Sequence, residues 1–196
     1  MPHQDRQTGM GKLCKFGLVA AIAAVLPLAA TTLQKLTLPE MARKSTAVVR
    51  ARVMASAGVL RGTDVYTIYR LEPVEVWKAP TAGVPREVAV PGGVAGGLRQ
   101  PVDGAPSLVE GREYVFFLWT SRTGLTQLIG LSQGLFDVRT ADGVSTVWRG
   151  TASERMLDAD GQPMRDEAVS MKLAELKAQV TSALSGSLSG PGAGPR

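Results

Sequence analysis

Residues 31–196 contain neither cysteine nor histidine, because Cys14 and His3 are the chain's only residues of these two types. Such a chain has no disulfide, no thiol nucleophile and no thiolate metal site. It also lacks the Ser-His-Asp machinery of hydrolases and the usual ligands of zinc. We therefore expect a domain stabilised by its hydrophobic core, without a cofactor, in which any catalysis would depend on carboxylate, Ser, Lys or Tyr side chains.

The first 30 residues resemble a secretory signal peptide. Lys12 and Lys15 precede fifteen uncharged residues, 16–30, a stretch shorter than the roughly 20 apolar residues that span a bilayer. Small residues end this stretch, so we predict cleavage after Ala30, with Thr32 as the alternative. The prediction is export to the periplasm or the extracellular space. A leader retained as an anchor and a buried hydrophobic helix are the alternatives, and translation from Met10 would give a better leader start.

The charge of the remaining chain is unremarkable. The whole sequence carries a formal charge of +5. Cleavage of the predicted leader would remove the basic residues Arg6, Lys12 and Lys15 and the acidic residue Asp5, so the net positive charge of the remaining domain would be smaller. A modest basic balance is not typical of nucleic-acid binding. We expect no nucleic-acid partner, and membrane contact through an uncleaved leader alone.

Alternating and β-branched segments predict strands in the first half of the domain. Residues 47–54 alternate apolar and charged side chains, 56–62 are predicted as a turn, and 65–78 form a long β run. Pro73 within that run cannot donate to a ladder, so it indicates an edge or a bulge. Residues 113–120 are the most hydrophobic stretch of the domain and are predicted to be the central strand.

Shorter strands follow at close intervals, and one turn is specific. Asp142-Gly143 predicts a tight hairpin turn, whereas 91–108, with two Gly-Gly pairs and three prolines, is predicted to be irregular. The other predicted short strands are 86–90, 125–129, 135–139 and 145–148.

Two helices flank the strands. Thr37, Pro39 and Glu40 have the positions of a capping box with proline in the first turn, so a short helix is predicted to end near Ser45. Residues 166–184 carry an apolar stripe at steps of three and four and predict an amphipathic helix. The predicted organisation is a signal peptide (1–30), one β-rich domain (31–184) and a disordered tail (185–196). The fold class is a small β barrel or sandwich.

Several of these segments resemble netrin-like domains, the OB-type barrels of tissue metalloproteinase inhibitors and complement C-terminal modules. The segments that carry this resemblance are 45–53, 65–69, 74–78 and 109–118, in that order along the chain. The resemblance covers about residues 40–140 and implies an OB-like barrel. The animal inhibitors chelate a protease zinc through an N-terminal cysteine, which residues 31–196 lack, so that mechanism is not implied here.

The pattern is also similar to uncharacterised exported bacterial proteins. The motifs that it shares with them are Gly92-Gly93, Gly104-Ala-Pro106 and Gly130-Leu-Ser-Gln-Gly134.

The glycine-rich segment 90–97 is a candidate anion site. Backbone amides around Gly92, Gly93, Gly96 and Gly97 can cradle an anion, and Arg99 lies nearby. The segment lacks the Gly-Lys-Ser/Thr ending of a nucleotide loop. A purely structural loop is the alternative.

A second candidate resembles part of a calcium loop. Asp158, Asp160 and Glu167 match positions three, five and twelve of such a loop, but Met156 stands at position one and supplies no oxygen. An Asp-Gly turn ahead of the last helix explains the same residues.

Arg50 and Arg52 share one strand face, which is either a solvated face or a surface for an acidic glycan, an anionic membrane or a single nucleic-acid strand. Export argues against the last of these. Glu72 with Glu75, and Glu110 with Glu113, lie three apart and so do not form acid–base pairs.

The aromatic side chains are expected to lie mostly in the core. Any left exposed on one face would indicate a sugar or peptide site. The set comprises Tyr66, Tyr69, Trp77, Tyr114, Phe116, Phe117, Trp119, Phe136 and Trp148.

The sequence thus predicts an exported, non-catalytic binding module for an envelope or extracellular protein or glycan. Two alternatives remain. One is a secreted protease inhibitor acting through the 91–108 loop, and the other is a hydrolase based on carboxylate, Ser or Lys side chains.

Overall fold

A computed structural model describes residues 32–152, 155–158 and 160–186 of the chain. The predicted signal peptide (1–30) and most of the predicted tail lie outside these residues. No helix in the described part of the chain is long and apolar enough to cross a membrane.

The described residues are mainly β, with one short helix near the N-terminus and one at the C-terminus, as the sequence predicts. The helices are α1 (Leu38–Lys44) and α2 (Leu173–Ser185). The strands are β1 (Thr32–Gln34), β2 (Ala47–Arg61), β3 (Asp64–Lys78), β4 (Glu87–Pro91), β5 (Gly93–Ala95), β6 (Leu98–Gln100), β7 (Glu113–Thr120), β8 (Thr126–Leu128), β9 (Leu135–Ala141), β10 (Val144–Arg149), β11 (Arg155–Leu157), β12 (Pro163–Met164) and β13 (Val169–Lys172).

One large sheet dominates the fold. Its strand order is β13-β10-β9-β7-β2-β3-β4, and β8 pairs with the free part of β7. The predicted central strand, β7, is indeed the middle strand. β4 lies beside β8, but the strand pairs include no β4–β8 ladder. The sheet therefore curls like a barrel without closing.

The two faces of the sheet bury separate apolar clusters, because strand side chains alternate between faces. The inner cluster fills the curled sheet and includes Ala47, Val49, Ala51, Val53, Tyr69, Leu71, Val88, Val90, Leu108, Tyr114, Phe116 and Leu118. The outer cluster lies beneath the two helices and includes Met41, Ala42, Val48, Val115, Phe117, Phe136, Val138, Val147, Leu173, Leu176 and Val180.

The first helix is held at both ends by side chains. Thr37 and Glu40 form the predicted capping box, and the hydrogen bonds that Glu40 accepts from Thr37 lower the pKa of its carboxyl. At the other end, the Lys78 ammonium on β3 donates to the carbonyls of Ala42, Arg43 and Ser45 at 2.9, 2.9 and 2.5 Å. These bonds satisfy carbonyls that a helix end leaves unpaired.

The β2–β3 hairpin is longer than predicted. Residues 56–61 continue β2 rather than forming a turn, and the chain reverses at Gly62-Thr63, where Gly62 has φ 63°. Pro73 lies opposite Ala51 next to a register shift and beyond the residues of β3 that pair with β4. The prediction of a bulge or an edge at Pro73 is confirmed.

Two further boundaries differ from the predictions. Residues 169–172 form β13 on the edge of the sheet, so the last helix begins at Leu173 rather than at 166. Val169 and Met171 alternate with exposed residues in this strand. This alternation has a period of two, but the apolar residues of the following helix continue the same sequence pattern with a helical period, and the helix prediction therefore began too early.

Segment 91–108 is not wholly irregular, because β5 and β6 pair as a hairpin. The Asp142-Gly143 turn is confirmed, with φ values of 51° and 76°.

Candidate functional site

Trp148 and Asp137 lie side by side on neighbouring strands. They are direct partners in the antiparallel β9–β10 ladder, so their side chains share one face of the sheet. Trp148 is 42% exposed although it is a large apolar residue. A single exposed apolar residue is common on protein surfaces, and it is the cleft beside Trp148 and Asp137 that makes this face a candidate binding surface.

The two oxygens of Asp137 have different environments. Oδ2 accepts hydrogen bonds from Arg112 Nη2 at 2.5 Å and from Arg139 Nε at 3.2 Å. Oδ1 is buried and has no hydrogen-bond partner among the described residues. A buried acceptor without a donor costs about 1–3 kcal/mol, so Oδ1 is a local cost to stability, and Oδ2 is the atom that fixes the carboxylate in place.

The indole of Trp148 is held from two sides. The guanidinium carbon of Arg139 lies 5.2 Å from the ring centroid, a cation–π distance. The backbone at Gly150 lies so close that a Cβ there would be 2.9 Å from the Cη2 atom of Trp148. The ring therefore has a defined position in the absence of any ligand.

A cleft of about 170 Å³ opens beside this pair; we call it the Trp148 cleft. Pro106 and Ser132 belong to two of the motifs singled out in the sequence, the Gly104-Ala-Pro106 and Gly130–Gly134 segments. The fold brings both to the same place. The cleft is lined by Pro106, Ser132, Leu135, Asp137, Trp148, Arg149, Gly150 and Thr151.

Gln133, next to the cleft residue Ser132, connects the N-terminal segment to the loop before β9 through its side chain. Its side chain is 1% exposed; Oε1 accepts from the Leu36 amide at 2.8 Å, and Nε2 donates to the Gln34 carbonyl at 3.0 Å. The preceding Gly130 and Leu131 have φ of 60° and 57°, the left-handed region that a tight loop uses. The Gly130–Gly134 motif is thus a tight loop whose buried Gln133 side chain bonds to the backbone of residues 34 and 36.

A buried ion pair supports the same region. Arg149 and Asp166 have side chains 9% and 2% exposed and meet at 3.4 Å. Arg149 Nη1 also donates to the Gln133 carbonyl at 3.1 Å, and the Ala152 amide donates to Asp166 Oδ2 at 2.9 Å. Burial lowers the pKa of Arg149, an effect that the neighbouring Asp166 opposes. Because Trp148 and Arg149 are consecutive in β10, their side chains point to opposite faces.

The glycine-rich candidate forms the β5–β6 hairpin, packed against β2 and β3. The Gly92 amide donates to the Val65 carbonyl at 2.7 Å, and Thr67 Oγ1 donates to the Gly92 carbonyl at 2.9 Å. Gly93 has φ 127°, and a Cβ there would lie 2.4 Å from Thr67 Oγ1. Close packing therefore accounts for both of these glycines.

The rest of that candidate lies at the hairpin tip. Gly96 and Gly97 form the turn, and Arg99 pairs with Val94 and is exposed. The structure places the predicted residues in one hairpin, and anion binding there stays a prediction.

The calcium candidate is an Asp-Gly turn between β11 and β12. Asp158 Oδ1 accepts from the Asp160 and Gln162 amides at 2.9 and 2.8 Å, and Gly161 has φ 79°. No group of three or more potential metal ligands forms within residues 32–152, 155–158 and 160–186. Calcium binding by Asp158, Asp160 and Glu167 stays a prediction.

Arg50 and Arg52 share one carboxylate instead of forming a free basic surface. Glu113 on β7 accepts from Arg50 Nη2 at 2.6 Å and from Arg52 Nη2 at 2.7 Å. Burial opposes ionisation of Glu113, but hydrogen bonds from both arginines outweigh it and lower the pKa of the carboxyl. On the next strand, the hydrogen bond from Lys177 lowers the pKa of Glu75. This face is a network of ion pairs.

The aromatic residues divide as expected, with two exceptions. Phe116, Phe117, Phe136, Tyr69 and Tyr114 are buried, whereas Trp119 is 45% and Trp148 is 42% exposed. Trp119 does not line the Trp148 cleft.

Comparison with known proteins gives no relative from which the role of this site could be inferred. No family model, no curated protein and no solved structure matches this chain.

Proposed function

We propose that this protein is an exported, non-catalytic binding module and that the Trp148 cleft is its binding site. The observation that carries the proposal is the exposed indole of Trp148 at the wall of a cleft of about 170 Å³ that Asp137 also lines. A concave, mostly apolar surface with a few polar side chains is typical of ligand-binding sites. The proposal of export depends on the leader-like residues 1–30.

Binding is a better account of the cleft than hydrolysis. Glycoside hydrolysis normally needs two carboxyl groups across the scissile bond, and among the described residues that line the cleft Asp137 is the one with a carboxylate. Its Oδ2 is already engaged by Arg112 and Arg139. These arginines hold the carboxylate in a fixed position, which suits a hydrogen-bond acceptor more than a group that exchanges protons.

Two tryptophans allow a matched test. Trp148→Ala removes the indole from the cleft, and Trp119→Ala removes an equally exposed indole elsewhere. The protein is purified in the form that accumulates in the cells that produce it, and it is then immobilised. It is exposed to envelope extract and to a printed array of glycans and peptides. We expect Trp148→Ala to lose the bound material and Trp119→Ala to keep it. Equal retention by both variants would contradict the proposal, and turnover of a captured ligand would favour the hydrolase alternative.

A second candidate function is protease inhibition through segment 91–108. Val94 is 62% exposed on a hairpin that the hydrogen bond from Thr67 to the Gly92 carbonyl holds against β3. A rigid, exposed apolar residue is what a protease pocket accepts. A panel of secreted proteases assayed with the wild-type chain and with Val94→Asp tests this. Slowing of one enzyme by the wild type but not by the variant would support it, and no slowing would exclude it for that panel.

A further inference from the structure

We infer that the protein has a second ligand site, a cleft between β4 and β8 that binds a small amphiphilic anion, a molecule with an apolar body and one anionic head group. We call it the β4–β8 cleft. Among the described residues, none lines both this cleft and the Trp148 cleft, so the inference goes beyond the proposed function. The lining of the β4–β8 cleft includes Arg61, Ile68, Arg86, Glu87, Ala89 and Leu125.

The β4–β8 cleft lies where the curled sheet does not close. β4 is an edge strand of the sheet, and β8 lies beside it without forming a ladder. Glu87 and Ala89 of β4 line one side of this gap, and residues 124–126, at the start of β8, line the other. The volume of about 360 Å³ is within the roughly 300–1,000 Å³ that is common for small-molecule sites. The open seam of the sheet therefore has room for a ligand.

Part of the cleft surface is apolar. Ile68 and Ala89 are direct partners in the antiparallel β3–β4 ladder, so their side chains share one face of the sheet. Leu125, in the turn before β8, adds a half-buried apolar side chain from the other side of the gap. Contact with these side chains removes apolar ligand surface from water, which favours a ligand that has an apolar body.

The arginines that line the cleft are not engaged by other side chains. Arg61 and Arg86 are exposed, and neither guanidinium has an ion-pair or hydrogen-bond partner among the described residues. By contrast, Arg50 and Arg52 on the same sheet share one carboxylate. A free guanidinium presents a planar fork of N–H donors that fits the oxygens of a carboxylate, sulfate or phosphate.

The carboxylates around the cleft do not cancel its positive charge. Glu87 lines the cleft, and Asp64 lies opposite Arg61 across the β2–β3 hairpin turn. Four arginines stand against these two carboxylates when the lining residues, their ladder partners and the turn 121–125 are counted together. This excess attracts an anionic head group and repels a cationic one. The four are Arg61, Arg70, Arg86 and Arg122.

The test uses probes that share one apolar tail and differ in the head group. Octanoate, octyl sulfate and octyl phosphate are the anions, 1-octanol is the neutral comparison, octylamine is the cationic one, and acetate is an anion without a tail. Each is titrated by calorimetry, below the concentration at which it forms micelles, into the protein in the form that accumulates in the producing cells. We expect at least one octyl anion to bind, and the three comparisons to bind at least about tenfold more weakly. Added salt should weaken the binding of the anion.

Matched variants connect this binding with the cleft. The double variant Arg61→Gln with Arg86→Gln removes both free guanidiniums and should reduce the affinity for the octyl anion about tenfold or more. Leu125→Ser makes part of the wall polar and should weaken binding several-fold. Arg43→Gln, which changes an exposed arginine on α1, and Trp148→Ala should bind as the wild type does. Thermal unfolding verifies that each variant is folded.

The outcomes separate this inference from the proposed function. The second site is overturned if no octyl anion binds, if 1-octanol or octylamine binds equally well, or if the double arginine variant binds as the wild type does. None of these results bears on the ligand of the Trp148 cleft. Loss of octyl-anion binding in Trp148→Ala but not in the double variant would place the anion in the Trp148 cleft and would also overturn the inference.

Discussion

Trp148 on β10 lies directly opposite Asp137 on β9, so an exposed indole and a partly unsatisfied carboxylate share one face of the sheet. The two residues are five positions either side of the Asp142-Gly143 turn. A two-residue turn fixes the register of the hairpin, and the register places the two side chains together. A local turn thus determines the geometry of the candidate site.

Replacing Gly150 by alanine should disturb Trp148 without unfolding the protein. The new Cβ would lie 2.9 Å from the indole Cη2 atom, so the ring must shift. We expect altered tryptophan fluorescence and weaker binding at the cleft, with a change in the free energy of unfolding of about 1 kcal/mol or less. The control is Gly186→Ala, where the nearest atom would be 3.4 Å away. Unchanged fluorescence and binding in Gly150→Ala would contradict the placement of the ring.

Replacing Gln133 by leucine should release the N-terminal strand. The change leaves the Leu36 amide and the Gln34 carbonyl without their buried partner. We expect a loss of about 2–4 kcal/mol in the free energy of unfolding and faster hydrogen exchange at the Leu36 amide. Gln179→Ala, on the exposed side of α2, should cost no more than about 0.5 kcal/mol. Wild-type exchange at Leu36 in the Gln133 variant would show that the clamp is not needed.

Acid should destabilise the protein partly through Glu113. Its pKa in the folded state is below the ordinary value of 4.5. The stabilisation from Glu113 is therefore complete above the unfolded pKa and is lost as the pH falls through the folded pKa. Urea unfolding between pH 7 and pH 3 should show stability that declines below about pH 4.5.

The matched variants for this experiment are Glu113→Gln and the exposed Glu167→Gln. The first should be less stable at pH 7, because Arg50 and Arg52 lose their shared partner, and should show a shallower decline in acid. The second should follow the wild-type curve. A full wild-type acid dependence in Glu113→Gln would refute the assignment.

Replacing Gly93 by alanine should undock the β5–β6 hairpin. Gly93 has φ 127° and a Cβ would lie 2.4 Å from Thr67 Oγ1, whereas Gly97 has φ 77° with nothing within 4 Å. Gly97→Ala therefore carries the backbone cost alone, about 1 kcal/mol. We expect Gly93→Ala to cost roughly 2 kcal/mol or more and to accelerate exchange of the Gly92 amide. Equal costs at the two positions would mean that the close contact with Thr67 is not important.

Local signals in the sequence predicted most of the secondary structure. The capping box at Thr37, the central strand 113–120, the bulge at Pro73 and the Asp142-Gly143 turn are all present. Each depends on residues close together in the chain. The errors lie where tertiary pairing overrides a local pattern: residues 56–61 extend β2 by pairing with β3, and 169–172 join the sheet edge beside β10.

Only part of the candidate site could be predicted from the sequence. A two-residue turn at Asp142-Gly143 pairs residues at equal distances on its two sides, so the sequence was sufficient to predict that Asp137 and Trp148 are neighbours. Nothing local showed that Arg112 would take up one oxygen of Asp137, or that Pro106 and Ser132 would close the cleft. Arg112 and Pro106 come from loops distant in the chain from β9 and β10, and loop positions depend on the whole sheet.

By itself, the sequence determined that residues 31–196 have no thiol or imidazole chemistry, that the domain is β-rich with a helix near each end, and that the Asp142-Gly143 turn lies between β9 and β10, because composition and short-range geometry decide these features. Only the tertiary structure decided that the glycine-rich segment packs closely against β3, that Arg50 and Arg52 share Glu113, and that Trp148 remains exposed beside a carboxylate held by Arg112 and Arg139. Burial and long-range hydrogen bonding depend on how the sheet curls, and the curl is a property of all its strands together.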